Sequence, residues 1–194
     1  FLYNTLDSII WMAEGRKYEE VVLMTASLAR LLRQSISNED EVVPLAREVE
    51  YAKGYLTIQK MRYKDKLEFE INVEPSILNI PLIKLVLQPI IENAIYHGLK
   101  YKESKGLLQV KGFMKDGNAV LQVIDNGVGM DEETLAHIYD KHKVNYHSNG
   151  VGVYNVQKRL KLYYGESYGI TYESEKGVGT TATITIPGMQ EESI

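Results

Sequence analysis

The 194-residue chain contains no cysteine, which excludes disulfides, thiolate metal sites and cysteine nucleophiles and frees the fold from any need for an oxidising compartment. That is compatible with the cytosol. It holds only 5 prolines, too few for a collagen-like or low-complexity chain. No run of about 18 apolar residues and no signal-peptide layout occurs, so we expect neither a membrane span nor a secretion address within it. A positive excess is missing too: 22 Lys plus Arg stand against 26 Asp plus Glu, and the net charge of -4 gives no general attraction to nucleic acid or anionic lipid. The chain begins at Phe1 rather than at an initiator Met, and we expect a piece of a longer protein. What is present, 44% hydrophobic and 25% charged residues, suits a globular fold of one or two domains.

Periodicity divides the chain. Leu2, Leu6, Ile9, Ile10 and Ala13 recur at helical spacing, and after Gly15 the pattern resumes through Met24, Leu28, Leu31 and Leu32, which predicts one long or broken helix. A polar turn from Ser35 to Glu41 follows, and Pro44 opens a second helix, making a hairpin. In that second helix Leu45, Val49, Ala52 and Leu56 form a short heptad-like seam suited to another helix, although Gly54 weakens it by about 1 kcal/mol. Beyond Tyr63 the period changes to two, with Leu67, Phe69, Ile71 and Val73 alternating with polar residues as in a half-buried strand. We therefore expect a domain boundary near Asp65, giving a helical region over 1–65 and a second domain over 66–194.

In the second part Pro81 is expected to start an apolar helix running to Ile95, with Pro89 inside it as a kink costing about 3 kcal/mol. Leu107–Lys115 and Ala119–Asp125 read as a hairpin turned by Asp116, Gly117 and Asn118. A polar segment with a short helix near Glu132–Tyr139 precedes a helix from about Val151 to Tyr164, and strands near Ile170–Glu175 and Thr181–Pro187 close the chain. Runs of helices and antiparallel strands without strict alternation indicate an α+β fold, with helices on one face of a mixed sheet.

Three Gly-Val-Gly triplets stand at Gly127–Gly129, Gly150–Gly152 and Gly177–Gly179. The first ends a strand after Asp125, the second opens a helix, and the third begins the last strand. A glycine pair at a helix start exposes backbone N–H groups at the positive end of the helix dipole, a place for phosphate. The same glycines also read as plain turn residues. Asn155 stands where a dinucleotide-binding third glycine belongs, and no triplet continues into the Gly-Lys-Ser/Thr of a P-loop. Asp125, at a strand end, either accepts a hydrogen bond from the exocyclic amine of a base or simply forms a turn. Glu92 and Asn93 interrupt an apolar helix, as hard oxygen ligands suited to Mg²⁺ or as a helix edge facing water.

In order, Leu87–Gly98 (LQPIIENAIYHG), Val123–Met130 (VIDNGVGM), Gly150–Leu160 (GVGVYNVQKRL) and Gly177–Pro187 (GVGTTATITIP) resemble the N, G1, G2 and G3 boxes of GHKL nucleotide-binding domains. The opening Phe1–Ile9 (FLYNTLDSI) and the Tyr51–Tyr63 helix (YAKGYLTIQKMRY) resemble the helical phosphoacceptor region of LytS/YehU-type sensor histidine kinases. The resemblance implies a Bergerat-type α/β sandwich holding Mg-ATP under a flexible lid, behind an N-terminal helical hairpin. It further implies Asn93 on Mg²⁺ and Asp125 on the adenine amino group, with His97, Gly127, Gly129, Met130, Gly150, Val151, Gly152 and Thr181 around the nucleotide. Glu92 would orient or deprotonate the accepting imidazole. In this family the γ-phosphoryl passes to a histidine on the helical region, usually of the partner in a homodimer, and then to the receiver domain of a response regulator. That histidine is expected immediately before Phe1. The resemblance also implies a cytoplasmic piece of a sensor whose parent is linked to the membrane upstream.

The chain departs from the family pattern at two positions. Pro89 occupies the place of a second Asn four residues before the metal-contacting one, and Tyr96 that of a phosphate-facing Lys, so these contacts fall to other groups, among them Arg159. Two alternatives remain open at this point. One is a GHKL-type ATP hydrolase, which activates water with a Glu at the position held here by Pro89. The other is a dimeric interaction module whose nucleotide site regulates rather than reacts. His137, His142 and His147 are assigned no chemistry.

Overall fold

A computed structural model describes residues 1–36, 41–139 and 150–188. The N-terminal helical pattern is broken into α1 (Leu2–Glu14) and α2 (Tyr18–Ile36). The break falls at Gly15 and Arg16, where Arg16 takes the left-handed conformation at φ 55° and its N–H returns to the Ala13 carbonyl. A short strand β1 (Val42–Pro44) leads into α3 (Leu45–Tyr63), for which Pro44 serves as the N-cap.

The seam on α3 finds its partner inside the same chain. Leu45, Ala52 and Leu56 are fully buried and join Leu28 and Leu31 of α2 in the common core, with Val49 packed at its edge. Burial of a leucine is worth about 1.5–3 kcal/mol, and at Leu45 and Leu56 none of it is left on offer to a second copy. Gly54 also has a packing reason: a Cβ there would lie 3.3 Å from Leu31 Cδ2, so its absence lets α2 approach α3 closely.

The remaining strands are β2 (Leu67–Val73), β3 (Pro81–Ile83), β4 (Gly106–Lys115), β5 (Asn118–Asp125), β6 (Gly169–Glu175) and β7 (Gly179–Pro187). Five form one mixed sheet in the order β2-β4-β5-β7-β6, with β2 parallel to β4 and every other pair antiparallel. The β4–β5 hairpin turns on Asp116 and Gly117, both at positive φ, as a two-residue primed turn requires. The helices α4 (Leu87–Asn93), α5 (Glu132–Ala136) and α6 (Gly150–Tyr164) complete the chain.

One expectation fails between residues 81 and 95. Pro81–Ile83 is not the start of a helix but strand β3, paired antiparallel with Val42–Pro44, and α4 begins only at Leu87. A continuous apolar run does not distinguish a buried strand from a buried helix, and the partner strand that decides the matter lies far away in sequence. The expected kink fails for the same reason. Pro89 is the third residue of α4, in the first turn, where N–H groups have no intrahelical acceptor to lose.

Strand alternation fixes which side chains face the helices. Ala119, Leu121 and Val123 of β5 and Ala182, Ile184 and Ile186 of β7 are buried rows on one face of the sheet. Asp125 is the last member of the first row, and Thr180, its cross-strand partner, the first of the second.

Candidate functional site

The rows end at a cavity of about 560 Å³ between the sheet and α4, closed on a third side by α5. Past Asn93 the helix widens into a π-turn over Ala94–Leu99, a form that recurs at functional sites. Asn93 and His97 from this segment line the cavity, as do Asp125 from β5 and Gly129 and Met130 from the loop beyond it.

At the cavity floor three segments meet without room for side chains. A Cβ on Gly98 would sit 2.6 Å from Asp125 Oδ1, and one on Gly127 would sit 2.4 Å from the Gly98 carbonyl carbon. The Gly127 N–H donates to Asp125 Oδ1 at 2.8 Å, and the Val128 N–H to the Gly98 carbonyl at 3.1 Å. Gly129, at φ 63°, lies so close to the Glu175 carbonyl that a Cβ would approach it to 1.9 Å. The Gly177 N–H donates to the Val128 carbonyl at 2.7 Å, so the first and third triplets lie side by side.

Asp125 is buried, and burial pushes its carboxyl up from 3.8 to about 6; the Gly127 and Thr180 backbone N–H groups and the Lys102 ammonium oppose the rise. A carboxylate so placed gains from any further donor. Three other buried polar atoms on the cavity wall have no hydrogen-bond partner among the described residues: Asn93 Oδ1, His137 Nδ1 and Tyr172 OH. Buried polar atoms rarely stay unpaired, and three such atoms beside the Asp125 carboxylate around one cavity fit a polar ligand. The orphaned Asn93 carboxamide oxygen is a hard donor that fits Mg²⁺, which takes one or two protein groups and otherwise water and phosphate. His97 is exposed on the rim, where partial desolvation and the Lys100 ammonium lower its pKa.

The other expected residues lie elsewhere. Thr181 points to the opposite face of the sheet, and Thr180 takes the place expected of it, as alternation from Ala182 and Ile184 requires. Gly127 lies behind Asp125 rather than on the cavity surface. Glu92 is turned away from the cavity; its carboxylate accepts from Gln88 Nε2 at 3.0 Å and acts on Tyr55 of α3. Gly152 sits in α6 against Pro89, where a Cβ would come within 3.3 Å of the proline ring. Gly150 is the first residue of α6, while His142, His147 and the side chain of Val151 lie outside the described residues. Gly98, Thr180, Tyr172 and His137 are wall or floor residues that motif reading passed over; strand parity was the available signal for Thr180 and Tyr172.

Residues 1–67 match the histidine kinase family model, and residues 79–190 match that of the histidine kinase-, DNA gyrase B- and HSP90-like ATPases. The chain belongs to the LytS-like sensor histidine kinases of the GHKL group. Sensor histidine kinase YesM of Bacillus subtilis is 34% identical over 191 residues, covering 98% of this chain and 32% of the relative. Sensor protein LytS of Oceanobacillus iheyensis is 32% identical over 171 residues, covering 86% of this chain and 29% of the relative. The chain thus spans about a third of the length of these curated relatives. Among solved structures, the histidine kinase domain of the Erythrobacter litoralis EL346 blue-light activated histidine kinase superposes with a TM-score of 0.56 at 16% identity, over 91% of this chain and 83% of that one, a likeness that bears on the fold alone. The fold is the α/β sandwich of histidine-kinase catalytic domains, the Bergerat fold expected from the four boxes. No helix among the described residues is long and apolar enough to cross a membrane.

Proposed function

We propose that this chain is the catalytic portion of a two-component sensor histidine kinase, which binds Mg-ATP and passes the γ-phosphoryl to a histidine preceding Phe1 and from there to a response-regulator receiver domain. The observation that carries the reading is the cavity in which the buried Asp125 carboxylate and the unpartnered Asn93 oxygen face the same space. Asp125 accepts from the adenine amino group. Asn93 holds Mg²⁺ together with the phosphates, and His97, Met130 and Gly129 border the nucleotide. When bound, Mg²⁺ neutralises charge on the phosphate oxygens.

Phosphoryl transfer asks the protein mainly for alignment and for stabilisation of charge. The floor of close-packed glycines fixes the Asp125 carboxyl against the Gly98 and Gly127 backbone, so that it is already in place for a base. On α4 Asn93 faces the cavity while Glu92 faces the helical region, a division that follows from the 100° turn between successive residues. Glu92 is therefore on the side from which an imidazole carried by the helices would approach, and there it orients the ring or accepts its proton.

The helical region over 1–65 and the ATP-binding region over 66–194 are the two functional parts. The homodimer forms through α1 and α2 rather than through the buried seam of α3. On α1 Leu2, Leu6 and Ile10 follow one another at four-residue spacing and are 40%, 42% and 57% exposed, a stripe suited to a second copy. The parent chain is a membrane-linked sensor with this portion in the cytoplasm.

Calorimetric titration of the chain with ATP and Mg²⁺ tests the reading. Saturable binding that is weakened in Asp125→Asn is expected; no saturable binding by the wild-type chain would overturn it.

A further inference from the structure

Apart from Thr5 of α1, the buried polar groups that the cavity does not use gather on one face of α3. Glu48, Tyr55 and Gln59 are spaced by seven and four, and each is at most 6% exposed. Glu48 reaches out of its helix to the segment that opens α4. Its Oε1 accepts the Leu85 N–H at 2.9 Å, and its Oε2 accepts those of Val86 at 2.9 Å and Leu87 at 3.1 Å. Two turns along the same face, the Tyr55 hydroxyl accepts from Gln59 Nε2 at 2.7 Å; burial above all, and then the neighbouring Tyr96 and Glu92, hold its pKa far up.

Nothing in residues 85–87 themselves sets where α4 starts. Val86, at the N-cap position, offers no side-chain cap, and Leu85 is held in the left-handed region at φ 60°, a conformation that a leucine keeps only where its surroundings impose it. The surroundings come from α3. Strands β1 and β3 pair just before the two helices, the Leu45 N–H donates to Ile80 and the Ala46 N–H to Leu78, and Glu48 then takes the three N–H groups that follow.

We infer that Glu48 is a positioning residue for the nucleotide site: by gripping the N–H groups that open α4 from the neighbouring helix, it sets the rotation at which Asn93 enters the cavity and Glu92 faces the helical region. A slip of one residue at the start of α4 would turn both by 100°. Asp125 belongs to β5 and is anchored independently, so the base end and the metal end of the nucleotide answer to different parts of the fold. The helical region acts on the metal end, through α3. This inference rests on the reading of Asn93 as the metal-contacting residue.

The test compares the wild-type chain, Glu48→Gln, Asn93→Ala and the double variant by calorimetry, with ATP in EDTA and with Mg²⁺ titrated into the ATP-loaded chain. The expected result is a loss of about ten- to a hundredfold in Mg²⁺ affinity for Glu48→Gln, the range typical of residues that orient a metal ligand. ATP affinity in EDTA should not change, and adding Glu48→Gln to Asn93→Ala should cause no further loss. A role in stability alone would lower the melting temperature without splitting the two affinities. Hydrogen exchange supplies a second readout: the Leu85–Leu87 amides should exchange as slowly as those of α3 in the wild type and faster in Glu48→Gln, with β5 and β7 unaltered. Unchanged Mg²⁺ affinity in Glu48→Gln, or equal losses with and without Mg²⁺, would overturn the inference while leaving the nucleotide reading intact. A wild-type chain that binds no ATP removes both. Should Glu48→Gln not fold, the wild-type exchange decides, and fast exchange at Leu85–Leu87 refutes the inference.

Discussion

Asp125→Asn separates the cost of the site from its use. Burial raises the Asp125 carboxyl from 3.8 to about 6 in the folded chain. Such a group favours the fold at pH below its unfolded value, and that contribution is lost as pH rises from about 4 through 6. At about 1.4 kcal/mol per pH unit, the ionised carboxylate leaves the nucleotide-free fold about 3 kcal/mol less stable near neutral pH than the protonated one would. Asparagine carries no charge to desolvate. Its Nδ2, however, must face one of the two backbone N–H groups, from Gly127 and Thr180, that the carboxylate satisfies, a loss of about 1–2 kcal/mol. The net expectation is a variant more stable than wild type by about 1–2 kcal/mol near neutral pH, with the difference reversing in favour of wild type, by about 1–2 kcal/mol, as pH falls below about 4. Urea unfolding followed by far-UV circular dichroism at both pH values measures this, and the difference between the two proteins isolates Asp125 from the other carboxylates. The same change should weaken ATP binding about ten- to a hundredfold, the worth of one hydrogen bond to a charged group. A variant less stable than wild type near neutral pH, or a stability difference that does not move with pH, would refute the argument.

Further expectations can be checked on the same preparation. Tyr172→Phe removes a buried hydroxyl that has no partner among the described residues, and should raise nucleotide-free stability by about 1 kcal/mol in urea unfolding. Gly129→Ala forces a Cβ onto the Glu175 carbonyl at positive φ, and should lower stability by about 1–3 kcal/mol or more, seen as a reduced melting temperature. Leu6→Glu or Ile10→Glu on the exposed stripe of α1 should yield a monomer in sedimentation if, as proposed, the wild-type chain dimerises there, whereas Val49→Thr on the seam of α3 should leave assembly unchanged. In a longer chain that carries the phosphoacceptor histidine proposed to precede Phe1, Glu92→Gln should slow phosphotransfer by about 10²–10⁴-fold, the usual worth of a general base, with ATP affinity preserved.

Local pattern determined most of the elements and one face of each. The apolar run that ends at Asp125 put that carboxyl at a strand end, helical spacing put Asn93 and His97 on one side of their segment, and Asp116-Gly117 marked the hairpin turn. The four boxes identified the family. Tertiary structure decided what each face would meet, because periodicity encodes a side and never a partner. It turned Pro81–Ile83 into a strand by supplying Val42–Pro44, filled the α3 seam with residues of α2, and fixed the start of α4 through a Glu48 carboxylate 38 residues from Val86. No window of neighbouring residues contains such a bond. Only the folded chain also brings Asn93, His137 and Tyr172 around one cavity with atoms left unpaired, since the three come from different elements and their lack of partners is a property of the space between them.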